Sequence, residues 1–157
     1  MNEIKFRAWD EENKLMVYSD NQPYWYEWEI NEHHGVICMH FDYVDDDFGG
    51  NVYYGEHLPI MQYTCIKDKN GKEIYAGDVV KDDWGRIMEV VFNKEKAKFQ
   101  FRLIRVEGEH AHWANNFVWA DMTDWFENGK NYVEVIGNVY ENGGLLNENW
   151  ETTPTTC

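Results

Sequence analysis

The stretch GDVVKDDWGRIMEVVFNKEKAKFQFRL, residues 77–103, decides the class of fold. Val79-Val80, a turn near Asp82-Asp83, and the run Ile87 to Phe92 predict a β-hairpin. Asn93 to Lys96 predicts the next turn. From 97 to 103 the residues alternate, with Ala97, Phe99, Phe101 and Leu103 on one face and Lys98, Gln100 and Arg102 on the other. This period of two is that of a half-buried antiparallel strand. The phase slips near Ile104, the mark of a β-bulge.

The same period extends outward in both directions. Ile60 to Ile66 reads as a strand, and Lys67 to Lys72 as a turn whose Asn70-Gly71 pair tolerates positive φ. A short strand surrounds Ile74. Residues 24–30 (YWYEWEI) and 35–41 (GVICMHF) are aromatic and β-branched, which suits strands. Between 42 and 50, DYVDDDFGG reads as a loop, followed by a strand at Val52 to Tyr54. At the start, Ile4, Phe6 and Ala8 share a face; a polar turn, Asp10 to Asn13, and Leu15 to Tyr18 complete a hairpin. Downstream, Asp121 caps one short helix running to Phe126. Tyr132 to Ile136 and Asn138 to Tyr140 close the pattern. Residues 148–157 are polar, threonine-rich and without period, and are expected to be disordered. The fold class expected is all-β and antiparallel, as one compact domain or as two small β subdomains.

Composition removes several functions. Aromatic residues make up 17% of the 157, which a disordered chain would lack. No apolar run reaches eighteen residues, so no membrane helix is expected. MNEIKFRAWD has no secretory pattern, so a cytoplasmic location is expected. Cys38, Cys65 and Cys157 have no paired spacing; a disulfide framework is not expected, and Cys38 and Cys65 read as buried thiols. The net charge is −15. Residues 1–60 hold 13 acids and 3 bases, residues 61–112 hold 9 and 10, and residues 113–157 hold 7 and 1. This balance argues against direct nucleic-acid binding, which rests on Lys and Arg displacing counterions. It permits an acidic surface for a basic protein partner.

Few residues suggest chemistry. His110 and His112 would share a strand face, as would Cys38 and His40, but nothing ties the pairs into one zinc site. Asp42 with Asp45, Asp46 and Asp47 lacks the alternating oxygen pattern of a calcium loop. No nucleophile, phosphate-loop or dinucleotide motif is present. No catalytic, cofactor or metal residues are therefore assigned. The aromatic run Tyr24, Trp25, Tyr26 and Trp28 is the candidate binding or interface site. Alternation puts Tyr24, Tyr26 and Trp28 on one face and Trp25 on the other. One face is core; the other exposes an aromatic surface for a protein or a stacked base. A phosphate-bearing ligand there needs an arginine nearby, such as Arg86, Arg102 or Arg105.

Three blocks carry a family resemblance: KFRAWDEENKLM at 5–16, IMQYTCIKDKNGKEIYAGDVVK at 60–81 and VEVIGNVYENGGLL at 133–146. In order and spacing they resemble the YopX family. The resemblance implies an all-β protein of a phage or prophage, oligomeric, with a single domain over 1–147. The middle block also looks like an SH3-like barrel, here over 60–106, with flanking strands from both termini. Two departures stand out: Cys65 and Ala76 occupy positions where similar proteins are expected to carry glycine and glutamate. Residues 19–57 match no family pattern. The family transfers no catalytic residue, so the expected function is that of a non-enzymatic accessory protein acting by binding, with a basic host or phage protein as partner. The alternative is a protein that sequesters a nucleotide or small molecule at subunit interfaces. A homo-oligomer is expected also from the eight Trp, ten Tyr and eight Phe, too many to bury in one small domain.

Overall fold

Turn chemistry spaces the strands of this chain. The computed structural model describes residues 3–21, 23, 25–32, 35–44, 51–108, 119–127 and 130–146; the side chains of 31, 41–44, 51–56, 126 and 130 are not described. Within these residues the regular structure is antiparallel strands, with 3₁₀ turns at Met122–Trp125 and Gly143–Leu146. The short helix expected from Asp121 is the first of these turns. Asp45, Asp46 and Asp47, His110, His112 and the tail 148–157 lie outside the described residues. Two compact units divide the chain, residues 1–62 and 63–157.

In the first unit, β1 (Phe6–Asp10) pairs with β2 (Leu15–Tyr18) and, on its other edge, with the first three residues of β6 (Ile60–Lys67). β3 (Tyr26–Asn31), β4 (Gly35–Val44) and β5 (Asn51–His57) form a meander. Asp42 to Val44, expected as loop, therefore continue β4. Ala8, Val17, Tyr26 and Cys38 form the core, with Trp28, Leu58 and Ile60 against it. The single buried face expected for β1 is corrected: Arg7, Ala8, Trp9 and Asp10 are all buried, and Ile4 is exposed. A central strand is covered on both sides, so its polar residues need internal partners. Arg7 Nε–H points at Met61 Sδ, 3.3 Å away.

In the second unit, β7 (Glu73–Tyr75) pairs with the end of β6. A five-stranded sheet follows in the order β11 (Trp119–Asp121), β10 (Lys98–Val106), β9 (Arg86–Asn93), β8 (Asp78–Asp82) and β14 (Val133–Asn138). Between its outer strands in sequence lies a two-residue hairpin, β12 (Phe126–Glu127) with β13 (Lys130–Asn131). The sheet draws two strands from beyond residue 106. The bulge expected near Ile104 is present, as a register shift between Leu103 and Arg105. Val80, Met88, Val90, Phe101, Val133 and Val135 fill the core with Met122 and Trp125 from the 3₁₀ turn. Phe101 and Trp125 meet edge to face at 5.2 Å. Two details differ from the alternation. Ala97 sits at φ 51° in the turn, and Gln100 is 2% exposed. β11 covers Gln100, whose amide bonds Asn93 at 2.7 Å and Asp121 at 2.7 Å.

The turns share one device. Asp68 accepts the N–H groups of Asn70 and Lys72, and Asp82 those of Trp84 and Arg86, all at 2.8 to 2.9 Å. Gly71 and Gly85 then donate to the carbonyls of Asp68 and Asp82. Such side-chain-closed turns need a left-handed residue. At Gly85, φ is +77° and an added Cβ would lie 2.1 Å from the Glu107 carbonyl oxygen, so only glycine fits.

Cys65 is exposed, a correction to its expected burial. Its φ is 66°, inside the stretch where the β6–β7 register shifts between Tyr63 and Lys67. That left-handed backbone is the physical reason glycine is expected there in similar proteins. Cys65→Gly should raise the denaturation midpoint, by about 0.5–1 kcal/mol in stability, since relief of left-handed strain exceeds glycine's added chain entropy. An unchanged or lower midpoint would refute the strain.

A pH dependence follows from Asp10 and Tyr26. Burial pushes the Asp10 carboxyl up, but hydrogen bonds from the Asn13 side chain and backbone and from the Tyr26 hydroxyl outweigh it, and the group sits below its ordinary 3.8. Burial first, then the bond to Asp10, holds the Tyr26 hydroxyl well above its ordinary 10.0. A carboxyl lowered by folding gives stability that is complete above its unfolded value and lost as pH falls through its folded one. A phenol raised by folding gives stability that is complete below its unfolded value and lost as pH rises through its folded one. Tyr26→Phe should therefore cost about 1–2 kcal/mol at pH 7, and the gap from wild type should close below about pH 4. Urea titrations at both pH values check this.

Candidate functional site

The aromatic run singled out in the sequence is divided by the strand pleat. Tyr24 lies outside the described residues. Tyr26 is in the core; its hydroxyl donates to Asp10 at 2.8 Å and its ring lies 4.9 Å from that of His40. Trp28 is half-buried beside the Phe6 ring at 6.4 Å, and its buried Nε1–H has no acceptor among the described residues. Among the described members of the run, Trp25 is the exposed one, at 43%. Cys38, paired in sequence with His40, is buried, and burial, then the Asp10 charge, pushes its thiol up to about 12, so it stays neutral. Among the described residues no three His, Cys, Asp or Glu side chains gather as a metal group. The three arginines weighed as phosphate partners belong to the second unit and meet carboxylates there: Arg86 with Asp82, Arg102 with Glu89, and Arg105 with Glu107.

A more developed site lies in the second unit, where the β8–β9 turn meets the 3₁₀ turn and β11. Two adjoining hollows share one wall of Arg86, Asp124 and Trp125. The first, about 490 Å³, adds Lys96, Gln100, Trp119 and Asp121. The second, about 430 Å³, adds Asp82, Asp83, Trp84, Glu127 and Tyr132. Both volumes fall in the range of ligand clefts. Trp84 is 60% exposed, Trp119 39% and Tyr132 38%.

The shared wall is built from Asp82. Its Oδ1 closes the turn that carries Trp84, while its Oδ2 accepts Arg86 Nε–H at 2.5 Å and Trp125 Nε1–H at 2.9 Å. The Arg86 guanidinium lies 5.0 Å over the Trp125 ring, a cation–π contact reinforced by the carboxylate. Around it the charge differs between hollows. In the first, hydrogen bonds from Lys98 and Gln100 hold the Asp121 carboxyl below its ordinary value. In the second, the Tyr132 hydroxyl donates to Glu127 at 3.2 Å; that bond, then burial and the nearby carboxylates, raises it. Asp83 faces Lys69 at 3.5 Å. Asp124 is exposed and makes no hydrogen bond or ion pair among the described residues.

Sequence reasoning passed over this site because its aromatics are far apart in the chain. One signal was present. DKNG at 68–71 and DDWG at 82–85 are the same turn, and the third position, exposed in both, holds Asn70 in one and Trp84 in the other. The turn itself needs only a polar residue at this position, and here it carries a 60% exposed tryptophan. Asp82 and Asp83 should differ sharply when replaced. Asp82→Ala leaves two turn N–H groups, a guanidinium and an indole without their acceptor and should cost about 3–5 kcal/mol. Asp83→Ala should stay within about 0.5 kcal/mol. Equal losses in urea denaturation would contradict the hub role.

Comparison with known proteins bears on fold and family. The family model described as YopX protein matches residues 5–147. The crystal structure of protein EF1440 from Enterococcus faecalis is similar at a TM-score of 0.56, with 22% sequence identity, covering 94% of this chain and all of that one. At this identity the likeness concerns the fold. No curated protein matches the chain. The family match, spanning nearly the whole sequence and containing all three of its motif blocks, shows that the chain belongs to the YopX family.

Proposed function

We propose that this protein is a non-enzymatic accessory protein of a phage or prophage, working in the cytoplasm of a bacterial host by binding a basic protein partner. The paired hollows of the second unit are its binding face. The observation that carries this reading is the exposure of Trp84, Trp119 and Tyr132 around one internally braced wall. Exposed tryptophan and tyrosine over a rigid floor match the aromatic anchors of protein interfaces. The non-enzymatic reading is supported by the engagement of the buried carboxylates: Asp10, Asp68 and Asp82 are committed to closing turns and holding distant elements, and Asp78 accepts the Tyr75 N–H. A sequestered nucleotide is less well supported, because Arg86 is committed to Asp82 and Asp124 stands beside it.

The test is affinity capture from host lysate with cross-linking mass spectrometry, using wild type and the double variant Trp84→Ala, Trp119→Ala. A basic protein cross-linked near Lys96, and lost in the double variant, is the expected outcome. Capture that survives the double variant would place binding elsewhere on the chain.

A further inference from the structure

We propose that the second hollow, bounded by Trp84 and Tyr132, takes a single arginine side chain from an extended basic segment of the partner. The inference rests on the binding reading above and adds the chemical class of the occupant.

Charge complementarity argues for it. Asp82, Asp83, Asp124 and Glu127 line this hollow against one cation, Arg86. Arg86 is itself spent on Asp82, which leaves a carboxylate excess of three. Asp83 shares Lys69 with Glu134 at a distance of 3.5 Å, a partial compensation at most. Asp124 has no hydrogen-bond or ion-pair partner among the described residues. The first hollow differs: with Arg86 spent on Asp82, Lys96 still stands against Asp121 and Asp124, and Lys98 bonds Asp121, so its pull on a cation is smaller.

Aromatic geometry adds a second argument. A guanidinium is planar, weakly hydrated, and stacks on aromatic faces while its edge meets carboxylate. This unit already holds one that way, with Arg86 over Trp125 and bonded to Asp82. Next to it, the exposed rings of Trp84 and Tyr132 stand with Asp83, Asp124 and Glu127, the same combination turned toward solvent. The indole of Trp84 is held there by a turn that only glycine at 85 permits, so the platform is formed before a ligand arrives. Preorganisation of this kind reduces the ordering cost of binding. Lysine would fill the same hollow as a point charge, with less stacking.

Tryptophan fluorescence titration of the full chain tests this with a short arginine-containing peptide, its citrulline isostere and its lysine counterpart. The arginine peptide should bind saturably. Affinity should fall about tenfold or more with citrulline, and by a smaller factor with lysine. Asp124→Asn with Glu127→Gln should weaken the arginine peptide by a similar factor, while Glu95→Gln, in the β9–β10 turn, should not. Equal binding of arginine and citrulline peptides, abolished by Trp84→Ala, would overturn the cation while preserving the hollow as a binding face. Binding of a single-stranded oligonucleotide in preference to the arginine peptide, or no saturable binding of the peptide to millimolar concentration, would overturn the inference, leaving the partner reading to the capture experiment. Circular dichroism of each variant separates lost binding from lost folding.

Discussion

A carboxylate out of water must be supplied with donors on both oxygens, and this chain meets that demand with one arrangement used three times. Asp10, Asp68 and Asp82 are all buried. In each, Oδ1 closes the local turn through backbone N–H groups. In each, Oδ2 reaches a distant element: the Tyr26 hydroxyl, the Val135 N–H and the Trp125 indole. Because a buried charge left short of donors costs several kcal/mol, neither half of the arrangement is stable without the other. The turn sets the strand register, and the remote donor makes that register conditional on the tertiary fold. Asparagine would present a donor where a second acceptor is required, so these positions demand the acid.

The same constraint makes the binding face. Asp82 fixes the turn that lifts Trp84 into solvent, orients Arg86 across the Trp125 ring, and anchors the 3₁₀ turn that carries Asp124. Trp125 is core on one side, against Phe101, and cleft wall on the other. The hollow is therefore an outgrowth of the core and inherits its rigidity. Surface loops without such bracing would have to be ordered by the ligand, at a cost in affinity.

Much of this was legible in the sequence, and what was not has identifiable causes. The period of two marked the strands from Ile60 to Phe101 because apolar and polar residues alternate on a half-buried sheet. It failed at β1, where Arg7 and Trp9 are buried along with Ala8, because a central strand has no solvent face. It failed at Gln100, where β11 closes over a polar residue from a distant stretch of chain. The aromatic run at 24–28 was conspicuous in composition, yet Tyr26 is spent on the core. Trp84, Trp119 and Tyr132 converge only through tertiary contacts, which periodicity does not encode. Cys65 departs from the glycine expected in similar proteins, and its positive φ is invisible to a pattern of apolar and polar residues.

Net charge is a poor guide to the sign of a cleft. The hollow beside Trp84 takes Asp82 and Asp83 from residues 61–112, which hold 9 acids and 10 bases, and Asp124 and Glu127 from residues 113–157, which hold 7 and 1. Its sign is a matter of placement. Lys81 pairs with Glu107, Lys98 with Asp121, Arg102 with Glu89, and Lys69 with Glu134 and Asp83, and none of these pairs includes Asp124 or Glu127. At physiological salt the screening length is about 8 Å, so a ligand in the hollow feels these nearest groups far more than the −15 of the whole chain. The wider acidity acts at the encounter stage, where it favours basic partners and repels nucleic acid. The local carboxylates and rings decide what stays bound, because only they lose water when a cation enters.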